Sequence, residues 1–235
     1  MPIRLLSIML ACTAAAACGV TESNFAERYA EASCTRNLAC CAGTPGLVTE
    51  AQCAAVLAAF AGSSFNAEFA TGHVTFNSAT AETCISDLEN QPCGDYLAAP
   101  SPSSCFAVFT GSQAIGASCT FGDECASTAC GGIQEDDDGH VTAPGTCATP
   151  GGPGQPCTPS NNSGPYCAAG STIDYADYPS CTCIATLPNG SGCTVDNQCS
   201  STYCDTMAGT CAAVPQISSL PASSCQSLLE VNYPQ

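Results

Sequence analysis

Two stretches of this chain, "GASCTFGDECASTAC" at 116–130 and "GSGCTVDNQCSSTYC" at 190–204, repeat cysteine at one spacing, C-x5-C-x4-C. Cysteines so placed can ligate a metal as thiolates, exchange disulfides, or bridge the chain. Zinc knuckles take C-x2-4-C pairs kept reduced. The gaps here are longer, so no metal site is expected. Cys181-Thr182-Cys183 comes nearest to a redox pair. A reactive thiol needs a cation or a helix N-terminus to lower its pKa, and no Lys or Arg lies near this one in sequence. Structural bridging is the expected use.

Other residues with chemical potential are few. "EDDDG" at 135–139 has the look of a calcium loop. With Gly139 at the sixth position, however, the first ligand would be Gln134 and the twelfth Gly145, and an EF-hand fails. The run reads as a solvated insertion, with weak calcium association through Asp136 and Asp138 as the alternative. There is no G-x-S-x-G. The general bases are His73, which follows Gly72 in an expected turn, and His140, in the acidic loop. The acidic pairs Asp87/Glu89 and Asp123/Glu124 are placed on solvent faces. No catalytic residue and no cofactor is assigned.

The composition limits the partners. The 235 residues allow one or two domains. The 22 cysteines, about 9% of the chain, fall in the range of disulfide scaffolds. There is no Lys; Arg4, Arg28 and Arg36 stand against 20 acidic residues, a net charge of -17. Such a surface repels phosphate, which excludes nucleic acid and electrostatic attachment to anionic lipid.

"MPIRLLSIMLACTAAAAC" opens with a basic residue and an apolar run from Leu5 to Ala17. Thirteen residues at about 1.5 Å each are too short for a hydrocarbon core of roughly 30 Å, so 1–17 reads as a signal peptide. Small residues before Cys18 resemble a bacterial lipobox, which makes Cys18 the lipidated N-terminus. Ala15 stands where that motif usually has Leu. Cleavage without lipidation, or a lipobox ending at Cys12, are the alternatives. Lipidation at Cys18 leaves an even twenty cysteines; either alternative leaves one thiol over.

Residues 18–113 carry most of the bulky apolar side chains and are expected to form a helical domain stapled by cysteine. Asn24 and Glu27 resemble a capping box, after which Phe25, Tyr29, Ala32 and Arg36 share a face. Thr49 and Gln52 cap a second helix whose buried stripe is expected to be Cys53, Val56, Leu57 and Phe60. Ala81, Cys84, Ile85 and Leu88 form a third stripe. "HVTFN" at 73–77 reads as an extended piece, and "SSCFAVF" at 103–109 as a short helix or strand. Cys53 and Cys84 should staple helices from within.

From Ala117 to Ala213 there are eight large apolar side chains, Phe121, Ile133, Val141, Ile173, Ile184, Leu187, Val195 and Met207. Their burial, at about 1.5–3 kcal/mol each, cannot offset backbone ordering of roughly 1–2 kcal/mol per residue. Bridges must supply the order, a 15-residue loop gaining about 3 kcal/mol. The cysteines divide into unit 1 (114–148; Cys119, Cys125, Cys130, Cys147), unit 2 (149–185) and unit 3 (186–213; Cys193, Cys199, Cys204, Cys211), followed by a tail, 214–235. Unit 2 holds Cys157, Cys167 and Cys183 and is expected to lack the second cysteine, with Cys181 compensating. The fold class is therefore small disulfide-rich: a helical stapled domain, then a loop-rich tandem array of short cysteine units.

The C-x5-C-x4-C-x6-C run at 193–211 resembles the first half of a Dickkopf-type, colipase-like module. The full layout resembles the cysteine-rich secreted lipoproteins of myxobacteria. The units lack the further cysteines and CC pair of the full Dickkopf pattern, so no receptor-binding role carries over. The resemblance implies bridges Cys119–Cys130, Cys125–Cys147, Cys193–Cys204 and Cys199–Cys211. The pairings of Cys157, Cys167, Cys181 and Cys183 stay open, as do those of the seven cysteines from Cys34 to Cys105. That odd set needs an outside partner, for which Cys225 is the candidate.

These readings lead to a non-enzymatic, exported protein of the outer membrane or cell surface, anchored through lipid on Cys18. It would act as a disulfide-stapled spacer or recognition module for an extracellular protein or glycan. Contact residues would lie in the insertions 131–146 and 168–180, the latter with Tyr175 and Tyr178. A secreted soluble inhibitor or effector presenting a bridged loop to an enzyme is the alternative.

Overall fold

The computed structural model describes residues 19–98, 101–136, 141–157, 167–174, 182–220 and 223–225. Cys12, Cys18, Asp138, His140, Tyr175, Tyr178 and Cys181 lie outside the described residues.

Thr21 starts the first helix, α1 (Glu22–Cys40). Its backbone is extended and its N–H donates to Asn24 Oδ1 at 2.8 Å. The helix thus begins before the expected Asn24–Glu27 box, because Asn24 already sits in the first turn and reaches back to the residue before it. α2 (Glu50–Ala70) starts as expected. Gln52 N–H donates to Thr49 Oγ1 at 3.3 Å, and Gln52 Oε1 accepts Thr49 N–H at 2.9 Å. α3 (Ser78–Asn90) is capped by Asn77 Oδ1, which accepts Thr80 N–H. A short α4 (Cys93–Ala98) follows.

The buried stripe of α2 differs from the expected one. Val56 is 41% exposed and Phe60 71%. The inward line runs through buried Cys53 and Ala61 and half-buried Leu57, Phe65 and Phe69, every fourth residue. Such a line drifts by about 40° per step around a 3.6-residue helix. It therefore starts against one cluster, where Cys53 and Leu57 meet Cys34, Cys40 and Val48, and ends against another. There Phe65 and Phe69 pack on Phe25, Ile85, Leu88 and Phe109. Val56 and Phe60 stand beside this slanted line and face water. α2 is long and apolar enough to cross a bilayer by length and composition, with a mean hydropathy of 1.2. Its bridge to α1, Cys34–Cys53, and the packing of its two phenylalanines make it a member of the helical layer.

Two short strands close the aromatic cluster. β1 (Val74–Phe76) pairs antiparallel with β2 (Phe109–Gly111), Phe76 opposite Phe109. A 3-10 turn at Ser103–Ala107 precedes β2, and Cys84–Cys105 ties it to α3. Cys40–Cys93 ties α1 to α4, and Cys41–Cys225 brings the tail back to α1. Leu220 N–H donates to the Cys40 carbonyl at 2.6 Å, and a Cβ on Gly94 would collide with the Pro215 carbonyl oxygen.

After β2 the chain is loops and strands of two or three residues. β3 (Ser118–Cys119), β4 (Cys130–Gly131) and β7 (Gly145–Cys147) form one small sheet, and β5 (Gln134–Glu135) pairs with β6 (Val141–Ala143). β8 (Ser171–Ile173) pairs with β9 (Cys183–Ala185), and β10 (Cys204–Asp205) with β11 (Thr210–Cys211). Bridges fill the interior of these segments. Cys119–Cys130 and Cys125–Cys147 join one, and Cys193–Cys204 and Cys199–Cys211 another. Together with the bridges of the helical layer, this is a small disulfide-rich fold. Bridges at such density persist in oxidising compartments, as in exported proteins.

One hydrogen-bond pattern recurs along this half. Gly116, Gly154 and Gly190, all with φ between 79 and 90°, donate N–H to the carbonyls of Cys147, Cys183 and Cys211. Glycine adopts that left-handed backbone without steric cost. Ala126, Ala168 and Ser200 donate to Gln113, Gly151 and Leu187. This equivalence places Cys167 beside Cys125 and Cys199, and its bridge, Cys167–Cys183, matches theirs. Cys167 is thus the second cysteine of its segment, correcting the expectation that the second was missing. Spacing misled because the stretch before Cys167 is longer than in the other two segments.

Candidate functional site

The sulfurs of Cys119, Cys125 and Cys130 lie within 4.8 Å of one another, as do those of Cys157, Cys167 and Cys183 and those of Cys193, Cys199 and Cys211. All nine are in disulfides. A bridged sulfur carries no thiolate charge, so these are cores rather than ligand sets. Cys183, bonded to Cys167, is not half of a 181/183 dithiol.

A cleft of about 940 Å³ lies between the helical layer and the cysteine segments. Its floor is aromatic. Phe25 and Tyr29 come from α1, Phe65 from α2 and Phe109 from β2. Ring centroids are 5.4 Å apart for Phe25–Phe65, 5.6 Å for Phe25–Phe109 and 4.9 Å for Phe65–Phe109. Tyr29 Oη is hydrogen-bonded to Ser101 Oγ at 3.0 Å. Phe106, on the 3-10 turn, also lines the cleft and is 73% exposed. The opposite wall comes from the cysteine segments: Asp123, Ser127 and Thr128 from one, Cys167, Ala168 and Ser171 from the next.

Asp123 and Glu124 lie at the junction of the two halves. They belong to a 3-10 turn, Gly122–Glu124, against which β2 packs so closely that a Cβ on Gly111 would strike the backbone at Glu124 and Cys125. Glu124, expected on a solvent face, is 3% exposed. Its Oε1 accepts the N–H groups of Thr120 and Phe121 at 3.0 and 3.1 Å, the hydrogen bonds that its burial requires. Gln198 does the same for Thr194 and Val195 at 2.7 and 3.3 Å in the last segment. Burial raises the Asp123 carboxyl above its ordinary range. Glu68, at the end of α2, is pushed up to about 7 by burial and then by the charges of Asp123 and Glu124. Its Oε2 is buried and has no hydrogen-bond partner among the described residues.

Of the sequence candidates, Asp87 and Glu89 are exposed on α3, where Asp87 Oδ2 accepts the Ser104 hydroxyl. Asp136 is exposed after β5. His73 is half-buried ahead of β1, its carbonyl accepting from Ser112, and it does not line the cleft. The cleft itself was not anticipated. Phe25 and Tyr29 were read as one helix face, but nothing in the spacing shows that Phe106 and Asp123 meet that face. A second cleft, of about 820 Å³, lies between α1 and α2 with Glu31, Glu50 and Glu89 at its edge. Comparison with protein-family models, curated proteins and solved structures finds no match to this chain.

Proposed function

We propose that the protein is a non-enzymatic recognition module of the bacterial cell surface, exported by its 1–17 signal and anchored by lipid on Cys18. The cysteine-rich half is a tandem array of three short units, 114–148, 149–185 and 186–213, of the kind seen in myxobacterial lipoproteins with Dickkopf-like spacing. One observation carries the reading: helical layer and cysteine segments together wall a single aromatic cleft, and bridges hold the walls. The return of the tail through Cys41–Cys225 favours recognition over a spacer, because it holds the array against the helical layer instead of extending it. Clefts of roughly 300–1,000 Å³ with apolar walls and a few polar groups are the usual form of a small-ligand site.

The test is saturable binding of a neutral apolar dye such as Nile red to the intact, unreduced protein. The reading expects one site per chain, blocked by Ala169→Trp, which fills the cleft. Absence of saturable binding, or binding indifferent to that substitution, contradicts it. Intact-mass spectrometry of protein extracted from membranes tests the anchor through the diacylglyceryl mass on Cys18.

A further inference from the structure

We infer that the cleft takes an organic monocation, an ammonium carried on an apolar or aromatic body, which lies against the phenylalanine floor with its charge toward Asp123. This rests on the reading of the cleft as the recognition surface and names its ligand class.

Aromatic faces carry negative quadrupole density and attract a cation within about 6 Å of the ring centroid. Phe65, half-buried, lines the cleft over the buried rings of Phe25 and Phe109, and Phe106 lines it largely in water. A large exposed apolar side chain beside a concave aromatic surface is suited to close over a bound group.

Charge selects among apolar ligands. Asp123 lines the cleft, with the carboxyls of Glu68 and Glu124 close enough to interact. Among the described residues no Lys or Arg lines the cleft to neutralise them. Arg36 donates instead to Cys93 Sγ in the other cluster, and Arg28 is exposed on α1. A partly buried carboxyl without an internal counter-charge is unfavourable until a cation arrives. An anionic ligand would meet the Asp123 carboxyl and a chain of net charge -17. A divalent metal ion is disfavoured by the same geometry, because Glu124 Oε1 is held by two backbone N–H groups and the floor is hydrocarbon. Ser127 and Ser171 also line the cleft, and among the described residues neither hydroxyl has a hydrogen-bond partner.

The experiment compares benzyltrimethylammonium with its neutral isostere neopentylbenzene and with phenylacetate. Each is titrated against the full, unreduced protein and followed by NMR shifts of the phenylalanine rings. The expected result is a preference for the cation over the neutral isostere of at least tenfold. Phenylacetate should not saturate. Asp123→Asn should abolish the preference while leaving neopentylbenzene binding within about twofold, and rising salt should weaken the cation alone. Equal binding of cation and isostere by the native protein overturns the inference, needs no variant, and leaves the recognition cleft standing. A preference that survives Asp123→Asn also overturns it. If neither these probes nor the neutral dye bind, the cleft reading fails as well.

Discussion

Cys41 and Cys225 are bonded across a sequence separation of 184 residues, so the whole cysteine-rich half is a covalent loop hung from the end of α1. The tail also packs there: Leu220 is buried in the same cluster, and its N–H donates to Cys40. The cysteine-rich half is held at both ends, at β2 and at the tail.

Replacing both residues, Cys41→Ser with Cys225→Ser, should lower the unfolding free energy by about 3 kcal/mol. Internal bridges shorten the effective loop, which keeps the loss below that of an unbridged loop of this length. Urea denaturation of the unreduced proteins measures it. A loss under about 1 kcal/mol would show that the tail packs equally well without its bond.

Glu68 gives the protein a stability that depends on pH. Its carboxyl is raised from the ordinary 4.5 to about 7 in the folded state. Between those values the folded chain holds a proton that the unfolded chain has released, so stability falls as pH rises through this window and stays low above it. Asp123, also raised by burial, adds to the same slope. Glu68→Gln should flatten the profile and stabilise the protein at pH 8 by about 1 kcal/mol, a figure discounted for partial exposure. Thermal melts from pH 4 to 8 would show an unchanged slope if the idea is wrong.

Glu124 and Gln198 do the same work with different head groups, each accepting two backbone N–H groups through one oxygen. Glu124→Gln keeps that oxygen and should change stability by less than about 1 kcal/mol, whereas Glu124→Ala strands two buried donors and should cost about 1–3 kcal/mol. Equal losses from the two changes would mean that the negative charge, not the hydrogen bonding, matters at this turn.

Leu88 and Phe60 test the slanted burial of α2 and its neighbours. Leu88 is fully buried among Phe25, Ile85 and Val108, so Leu88→Ala should cost about 2–5 kcal/mol. Phe60 is exposed, and Phe60→Ala should cost under about 0.5 kcal/mol. A large loss at Phe60 would return it to the core.

Local chemistry explains which parts of this fold could be read in the sequence. Thr49 with Gln52 marks a helix start by hydrogen bonding over three residues, and the Ala81–Cys84–Ile85–Leu88 stripe needs only a 3.6-residue period; both are in the structure. The start of α1 was misplaced because Asn24 suits both the cap and the third helical position. The stripe on α2 was misplaced because that helix serves two clusters in succession, and one period cannot describe a face that turns. Cys167 was misassigned because loop length hides equivalence that backbone hydrogen bonds reveal. The cleft was illegible because its walls, Phe25, Phe106, Asp123 and Ser171, meet only through long-range packing and bridges.

Peptide mapping by mass spectrometry, on unreduced protein alkylated before digestion, tests most directly that bridges order this molecule. The account predicts no alkylated thiol among the twenty cysteines after Cys18, with peptides linking Cys41 to Cys225 and Cys167 to Cys183. Several alkylated cysteines in the cysteine-rich half, or Cys167 linked elsewhere than to Cys183, would contradict it.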